Sequence, residues 1–455
     1  MATTFHFDQA LPFTAEHAGD ILRDIPAQPG VFALCGARPE DQPYLTRTAD
    51  LRRRMRRLLD PPESQSKRLN LRDKVARIEY TITGSEFESQ LVLYHAAAAL
   101  LGYAEARRRL KLHTPYFLRI TMTNAHPRVY ATNRLSKRGL AEMYGPFSSR
   151  LAAERYSDAV LDLFKLRRCY EDLEPYPEHP GCVYGEMKKC LEPCKMACTA
   201  EQYAAEAEAV KRFFDTRGES MIAQLSRERD EAAAAMEFER AASIHAQWQK
   251  VKAAAALADW LVRPVPSLRA VIVQAASEDG EHREEAALFL LEGGCLTGPE
   301  TLSTLGVRAV REQTSVGSSL FAQPLMLQAV PLEGEPVADS PEDRAARVLT
   351  TLQKAPSATN DLALVSDHLS LLRRWYYRPE KHRAGEIFFQ NADGSWPIRK
   401  ILRGAARVAL GDPKPMAETQ REAAKTAKTR ILGEGQPDVE RTVPMMPKNF
   451  SEPNL

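Results

Sequence analysis

Cysteine placement constrains this chain more than any other feature of its sequence. Five of its seven cysteines fall between residues 169 and 198, in the order Cys169-x12-Cys182-x7-Cys190-x3-Cys194, with Cys198 close behind. Thiolate is a soft ligand, and four of them complete either a zinc site or an iron–sulfur cluster; spacing alone does not separate the two. Disulfides would require an oxidising compartment. The N-terminus, Met1 to Phe13, mixes His, Asp, Gln and Pro and lacks the basic start and apolar block of a secretory signal. A cytoplasmic location with reduced thiols is therefore expected. A chance gathering of buried thiols is disfavoured by the polar, turn-forming flanks Lys188-Lys189 and Pro193.

The remainder of the chain suits a soluble protein of several domains. At 455 residues it is too long for one small core, and its 44% apolar and 27% charged residues are ordinary for globular proteins. Apolar stretches such as Leu91 to Leu101 fall short of a bilayer span, so no membrane partner is expected. A net charge of +2 selects no partner, but the arginines are clustered. Arg52, Arg53, Arg54, Arg56 and Arg57 crowd one segment, and Arg107, Arg108, Arg109 and Lys111 another. Such runs are commonly solvated helix faces and indicate phosphate contacts only with other support.

Periodicity places the elements. Gly30-Val31-Phe32-Ala33-Leu34 and Pro43-Tyr44-Leu45 read as a hairpin, and Thr48 to Leu59 as a helix with Leu51, Met55, Leu58 and Leu59 on one side. Asp60-Pro61-Pro62 ends that helix, 75–83 alternates as a third strand, and a helix runs from Glu86 to about Leu101. Strands are expected near 116–120 and 128–131, and a helix over 149–164. Residues 200–257 are helix formers suited to two or three packed helices. Beyond Pro264 come β-type runs at 270–273 and 287–291, then helices containing 345–352 and 369–377. The segment after about Asp412 is rich in Pro, Lys, Glu and small residues, which predicts disorder.

Motifs around the cysteines resemble the UvrC repair nucleases. Phe164-Lys165-Leu166-Arg167-Arg168-Cys169, Pro180-Gly181-Cys182-Val183-Tyr184 and Lys189-Cys190-Leu191-Glu192-Pro193-Cys194 match that family's cysteine region, preceded by Tyr144-Gly145-Pro146-Phe147. The resemblance implies an iron–sulfur cluster, 4Fe-4S with zinc as the alternative, on Cys169, Cys182, Cys190 and Cys194. Cys198 is then an extra cysteine.

The family begins with a GIY-YIG nuclease domain, which this chain resembles in order and spacing. Gly30-Val31-Phe32 stands for the first motif and Tyr44-Leu45-Thr46 for the second. Arg54 falls on the catalytic arginine and Glu88 on the metal-binding glutamate. The resemblance implies Tyr44 as general base, Arg54 stabilising the phosphorane, Arg47 supporting a phosphate oxygen, and Glu88 holding Mg2+ or Mn2+. Each has a plainer reading: a strand aromatic, one arginine of a charged helix, and the capping-box glutamate of Ser85-x-x-Glu88. Departures are Phe32 for tyrosine, Thr46 for glycine and Leu58 for another tyrosine.

Met236-Glu237-Phe238-Glu239-Arg240-Ala241-Ala242 resembles the UVR motif, a helical hairpin that docks on UvrB in the family. Glu237, Phe238 and Glu239 become the partner-binding residues, with Phe238 as aromatic anchor. The family motif continues Arg-Asp where this chain has His245-Ala246, and the plainer reading packs Phe238 inside. The resemblance covers about residues 20–260, and no counterpart of the family's RNase H-like and helix-hairpin-helix regions is found after it.

The expected architecture is α/β and multidomain. It comprises a small GIY-YIG α/β nuclease domain (20–112), strands and a cysteine metal region (113–200), a helical region with the UVR hairpin (201–260), an α+β domain (261–412) and a disordered tail (413–455). The implied function is a DNA-repair endonuclease subunit of nucleotide excision repair, making one incision in double-stranded DNA with UvrB or a UvrB-like partner. The alternatives are a decayed module that binds DNA and UvrB without cutting, and a zinc-stabilised scaffold with no DNA role.

Overall fold

The computed structural model describes residues 5–38, 40–61, 69–277, 284–307, 339–354, 361–379, 382–411, 428–431 and 441–444. The chain forms two compact units, Met1–Ala409 and Leu410–Leu455.

The first unit opens with β1 (Gln9–Pro12), α1 (Ala18–Asp24), β2 (Gly30–Cys35), β3 (Tyr44–Thr48), α2 (Leu51–Leu59), β4 (Arg77–Ile82), α3 (Glu86–Leu101) and α4 (Tyr103–Leu110). The strands make an antiparallel sheet ordered β1-β4-β2-β3. Alternation along β2 and β3 gives the sheet two apolar faces. Phe32 and Leu34 meet Leu51, Met55 and Leu58 of α2 on one face; Val31, Ala33 and Leu45 meet Phe87, Leu91 and Tyr94 of α3 on the other. Asp50 caps α2 by accepting from the Arg53 amide, and Ser85 caps α3 by accepting from the Glu88 amide. α3 ends where expected, at Gly102 with φ 86°, whereas β1, α1 and α4 were not anticipated from periodicity. Each is too short to display one.

A second sheet follows from β5 (Tyr116–Ile120), β6 (Val129–Thr132) and β7 (Met143–Phe147), backed by α5 (Arg150–Leu161). The cysteine segment contains a short helix, α6 (Val183–Glu186), and a 3-10 turn, Pro193–Lys195, before α7 (Ala200–Thr216), α8 (Glu219–Ala234) and α9 (Phe238–Ala255). The two-residue β8 (Arg263–Pro264) completes the order β6-β5-β7-β8. Leu118, Tyr144, Phe147 and Tyr156 pack with Phe213, Phe214, Leu225 and Val251, so the sheet and the helical hairpin share a core.

The third sheet contains β9 (Arg269–Ala275), β10 (Glu285–Glu292), β11 (Cys295–Ser303) and, after α10 (Pro341–Lys354) and α11 (Leu362–Tyr376), β12 (Glu386–Phe389); α12 (Ile398–Leu410) ends the region. Its order is β11-β10-β9-β12. Val271, Val273 and Leu288 face α10 and α12, while Ile272, Phe289 and Leu291 face α3 and α11. Phe87 of α3 lies edge-on to Phe289 at 5.2 Å and 5.3 Å from Trp375. Apolar packing therefore runs unbroken across the boundaries expected at 112, 200 and 260.

The second unit contains β13 (Lys428–Ile431) paired antiparallel with β14 (Arg441–Pro444). These are the described residues of the segment 413–455, for which disorder is expected. The remainder of that segment lies outside the described residues.

Candidate functional site

The basic helix α2 presents two kinds of arginine. Arg52 and Arg54 are turned inward: Arg52 Nε donates to the Ile25 carbonyl at 2.6 Å, and Arg54 Nη2 donates to the Tyr44 hydroxyl at 2.9 Å. Tyr44 also approaches the Phe32 ring, with centroids 6.2 Å apart. Arg53, Arg56 and Arg57 are exposed and form no ion pair with a described residue. The second cluster differs. Arg108 and Arg109 bind Glu105 at 2.7 Å, and Arg107 binds the buried Asp367 at 2.6 Å, which also accepts from the Tyr94 hydroxyl. Those arginines are neutralised within the fold, whereas α2 keeps an open positive face.

Arg47 lies three residues from Tyr44 on β3 and so projects to the other side of the sheet. There it binds Glu86 at 3.2 Å, and Glu86 is gripped by both terminal nitrogens of Arg378, at 2.6 and 2.9 Å. The Arg378 hydrogen bonds, followed by the charges of Arg378 and Arg47, hold the Glu86 carboxyl down at about 2. Neither Glu86 nor Arg378 stood out in the sequence, because the pairing joins residues nearly three hundred positions apart.

Glu88 is only 6% exposed. Its Oε2 accepts from the Gly84 amide at 2.8 Å, as a helix-capping carboxylate does. Burial pushes its carboxyl up to about 7, the Gly84 amide opposes the shift, and Asp8 adds to it. Glu88 lines a cavity of about 580 Å³ together with Asp8, Thr81, His95 and Glu285; Tyr44, Arg47 and Arg54 do not line it. The structure thus joins Tyr44 to Arg54 and leaves Glu88 on the α3 side of the sheet.

The cysteine segment wraps from α5 to α7 as a loop with left-handed turns at Gly181, Lys188, Glu192 and Met196. All its thiols are free. Burial pushes the Cys190 thiol up to about 11, the Glu192 amide opposes this by donating to its sulfur, and Cys182, Cys169 and Cys194 each raise it further. Cys198 neighbours Cys194, whose charge adds to the effect of burial on it. Among the described residues no three His, Cys, Asp or Glu side chains are drawn together closely enough to hold a metal ion. The donor set fits a thiophilic metal by its chemistry rather than by a closed geometry. Arg167, unremarked in the sequence, is buried here; it donates to Cys169 Sγ at 3.7 Å and to the carbonyls of His126 and Glu171.

At the turn between α8 and α9, Met236 adopts a left-handed conformation with φ 62°. Phe238, the first residue of α9, is 69% exposed, and Met236 beside it is also exposed. Glu237 is held by Arg240 at 2.8 Å and Glu239 is solvated. The hairpin packs through Leu225, Ala232, Ile244 and Val251 instead, so the alternative of a buried Phe238 does not hold. Among the described residues no helix is long and apolar enough to cross a membrane.

Comparison with known proteins agrees with this division. The model of the UvrC/Cho excinuclease middle domain matches residues 116–213, and that of the UvrB/UvrC motif matches 219–254. The UvrABC system protein C of Desulforudis audaxviator is 28% identical over 306 residues, covering 66% of this chain and 47% of that protein. Its counterpart from Haloarcula marismortui is 27% identical over 311 residues (64% and 51%), and that from Koribacter versatilis 31% over 226 (49% and 36%). The chain spans about half or less of the length of these relatives. No solved structure matches it significantly. Middle domain, helical motif and relatives together make this chain a UvrC-like protein.

Proposed function

We propose that this protein is a DNA-repair endonuclease subunit of nucleotide excision repair, hydrolysing one phosphodiester bond near a lesion in double-stranded DNA. The observation that carries this reading is the Tyr44–Arg54 hydrogen bond beside the unpaired arginines of α2. A phosphodiester resting on Arg53, Arg56 and Arg57 would meet a phenol and a guanidinium already paired. Tyr44 would take the proton of the attacking water, and Arg54 would neutralise charge developing on phosphorus. Arg47 would bind a phosphate oxygen once released from Glu86.

A divalent cation, Mg2+ or Mn2+, would supply charge neutralisation at the leaving oxygen. Glu88 is the carboxylate that would hold such an ion, with water and substrate oxygens completing the shell. It is buried on the Gly84 amide in a cavity that Tyr44 and Arg54 do not line, so its present position does not fit an ion shared with them. Cys169, Cys182, Cys190 and Cys194 would hold an iron–sulfur cluster, or zinc, that fixes the loop between α5 and α7. The UvrB/UvrC motif would dock on UvrB or a UvrB-like protein through Phe238, oriented by Glu237 and Glu239.

The test is a nicking assay on a damaged duplex with UvrB and Mg2+, comparing wild type with Glu88→Ala. Nicking by wild type alone is expected. A second reading, a module that binds DNA and UvrB without cutting, is favoured by the separation of Glu88 from Tyr44 and by the buried Phe32 in place of a phenol. Tight binding without nicking under Mg2+ or Mn2+ would select it.

A further inference from the structure

An exposed tryptophan beyond the helical hairpin has no part in the reading above. Trp260 leaves 56% of its surface in water, although an indole can bury ~150–250 Å² to advantage. The Arg217 guanidinium lies 3.6 Å from the centre of its ring, covering one face. Arg263 also lies over the ring, 5.7 Å from its centre and 4.8 Å from that of Phe389, and its Nε donates to the Trp260 carbonyl at 3.1 Å, so more than half of the residue stays in water with a guanidinium on each side of it in sequence.

The arrangement is held rigidly. Arg217 ends α7 in the left-handed region with φ 51°, followed by Gly218 at φ 79°. A Cβ on Gly218 would come within 2.9 Å of the Phe213 ring and 3.2 Å of Ala255 Cβ, so the turn is fixed against both flanking helices. The two guanidiniums repel each other: burial first, and then Arg217, lowers the Arg263 pKa. The nearest carboxylates do not cancel them fully. Glu219 reaches Arg217 at 3.3 Å from an exposed position, and Arg263 forms no ion pair with a described residue.

We propose that Trp260, backed by Arg217, is a landing platform for single-stranded nucleic acid, one base stacking on the exposed indole and an adjacent phosphate meeting the Arg263 guanidinium. A flat aromatic face stacks on any unpaired base and on none within a duplex, and flanking arginines track the backbone. The inference rests on the nucleic-acid part of the proposed function, not on its nuclease chemistry.

The test uses the full chain and anisotropy titrations with labelled oligo-dT, an abasic oligomer of equal length, an acidic peptide and a duplex. Trp260→Ala should weaken oligo-dT binding about 10-fold or more while leaving abasic and duplex binding unchanged, and Trp260→Phe should restore most of the loss. Arg263→Gln should reduce the logarithmic salt slope by about 0.7. An unchanged melting temperature for Trp260→Ala checks the fold. Oligo-dT binding by Trp260→Ala equal to wild type, equal losses on the abasic oligomer, or preference for the peptide would overturn the proposal. Absence of nicking with oligo-dT binding intact would sink the nuclease reading and leave this one standing.

Discussion

Tyr44 and Glu88 approach the first sheet from opposite faces. Tyr44 packs with Phe32 on the α2 side, whereas α3, which carries Glu88, covers Val31, Ala33 and Leu45. Alternation along β3 sends Arg47 to the α3 side as well. Of the four residues singled out for catalysis, Tyr44 is thus bonded to Arg54 on one side of the sheet, while Arg47 is bonded to Glu86 of the helix that carries Glu88 on the other.

This division predicts unequal effects on cleavage. In a nicking assay Tyr44→Phe should lower the rate on the order of 10²–10⁴-fold, as removal of a general base does. Arg54→Ala should cost about 10²–10³-fold, as does loss of a transition-state donor. DNA affinity should hold within a few-fold, because neither side chain belongs to the open arginine face. Equal rates for Tyr44→Phe and wild type would exclude the phenol as base.

DNA affinity itself should follow α2 rather than α4. Replacing Arg53, Arg56 and Arg57 together by alanine removes three exposed cations that pair with no described residue, which should flatten the logarithmic salt dependence of duplex binding by about 2.7. Arg108→Ala removes a charge already satisfied by Glu105 and should leave the slope unchanged. The same slope for both variants would place the DNA elsewhere.

The contrast between these two helices shows what the sequence could and could not convey. Both were legible as arginine-rich helices, since 3.6-residue periodicity set Leu51, Met55 and Leu58 on one side of the first. Which cluster was neutralised was not legible, because the partner of Arg107 is Asp367, some 260 positions away. The four cysteines were legible from spacing; Arg167 beside Cys169 was not, because arginine carries no spacing signature. Phe238 was readable as a motif residue, and its exposure followed only once Leu225, Ile244 and Val251 were seen to fill the hairpin core.

Glu88 should weaken the fold at neutral and alkaline pH. Its carboxyl is raised from an ordinary 4.5 to about 7, so the unfolded chain ionises first and stability falls as pH rises between those values. Glu88→Gln cannot ionise and keeps an oxygen for the Gly84 amide. It should therefore stabilise by up to roughly 3 kcal/mol above pH 7 and by almost nothing below pH 4.5. Thermal melts at pH 5 and 8 read the difference. If Glu88 holds a cation, Mg2+ should raise the wild-type melting temperature at pH 8 and not that of Glu88→Gln.

The turn at Phe238 separates binding from stability. An exposed aromatic contributes little to the isolated fold, whereas an aromatic anchor buried by a partner is worth 2 kcal/mol or more, about 30-fold in affinity. Phe238→Ala should therefore lose UvrB binding by calorimetry while melting like wild type. Val251→Ala, inside the hairpin core, should do the reverse in order: a lower melting temperature first, and weaker binding as its consequence. Undiminished UvrB binding by Phe238→Ala would remove the turn from the interface.

The thiols offer the sharpest contrast between neighbouring residues. Burial raises the Cys190 pKa first, and Cys182, Cys169 and Cys194 each add to it, whereas of these three only Cys194 adds to the shift of Cys198. Deprotonating several thiols whose charges act on one another is opposed, without a cation, by their mutual repulsion, and a bound metal removes that opposition. Cys190→Ser should thus abolish metal retention in anaerobically purified protein, whereas Cys198→Ser should retain it. Iron and sulfide analysis with visible absorption identifies a cluster, and a colourless protein with one zinc per chain identifies the alternative. Full metal content in Cys190→Ser, or loss in Cys198→Ser, would exclude Cys169, Cys182, Cys190 and Cys194 as the ligand set.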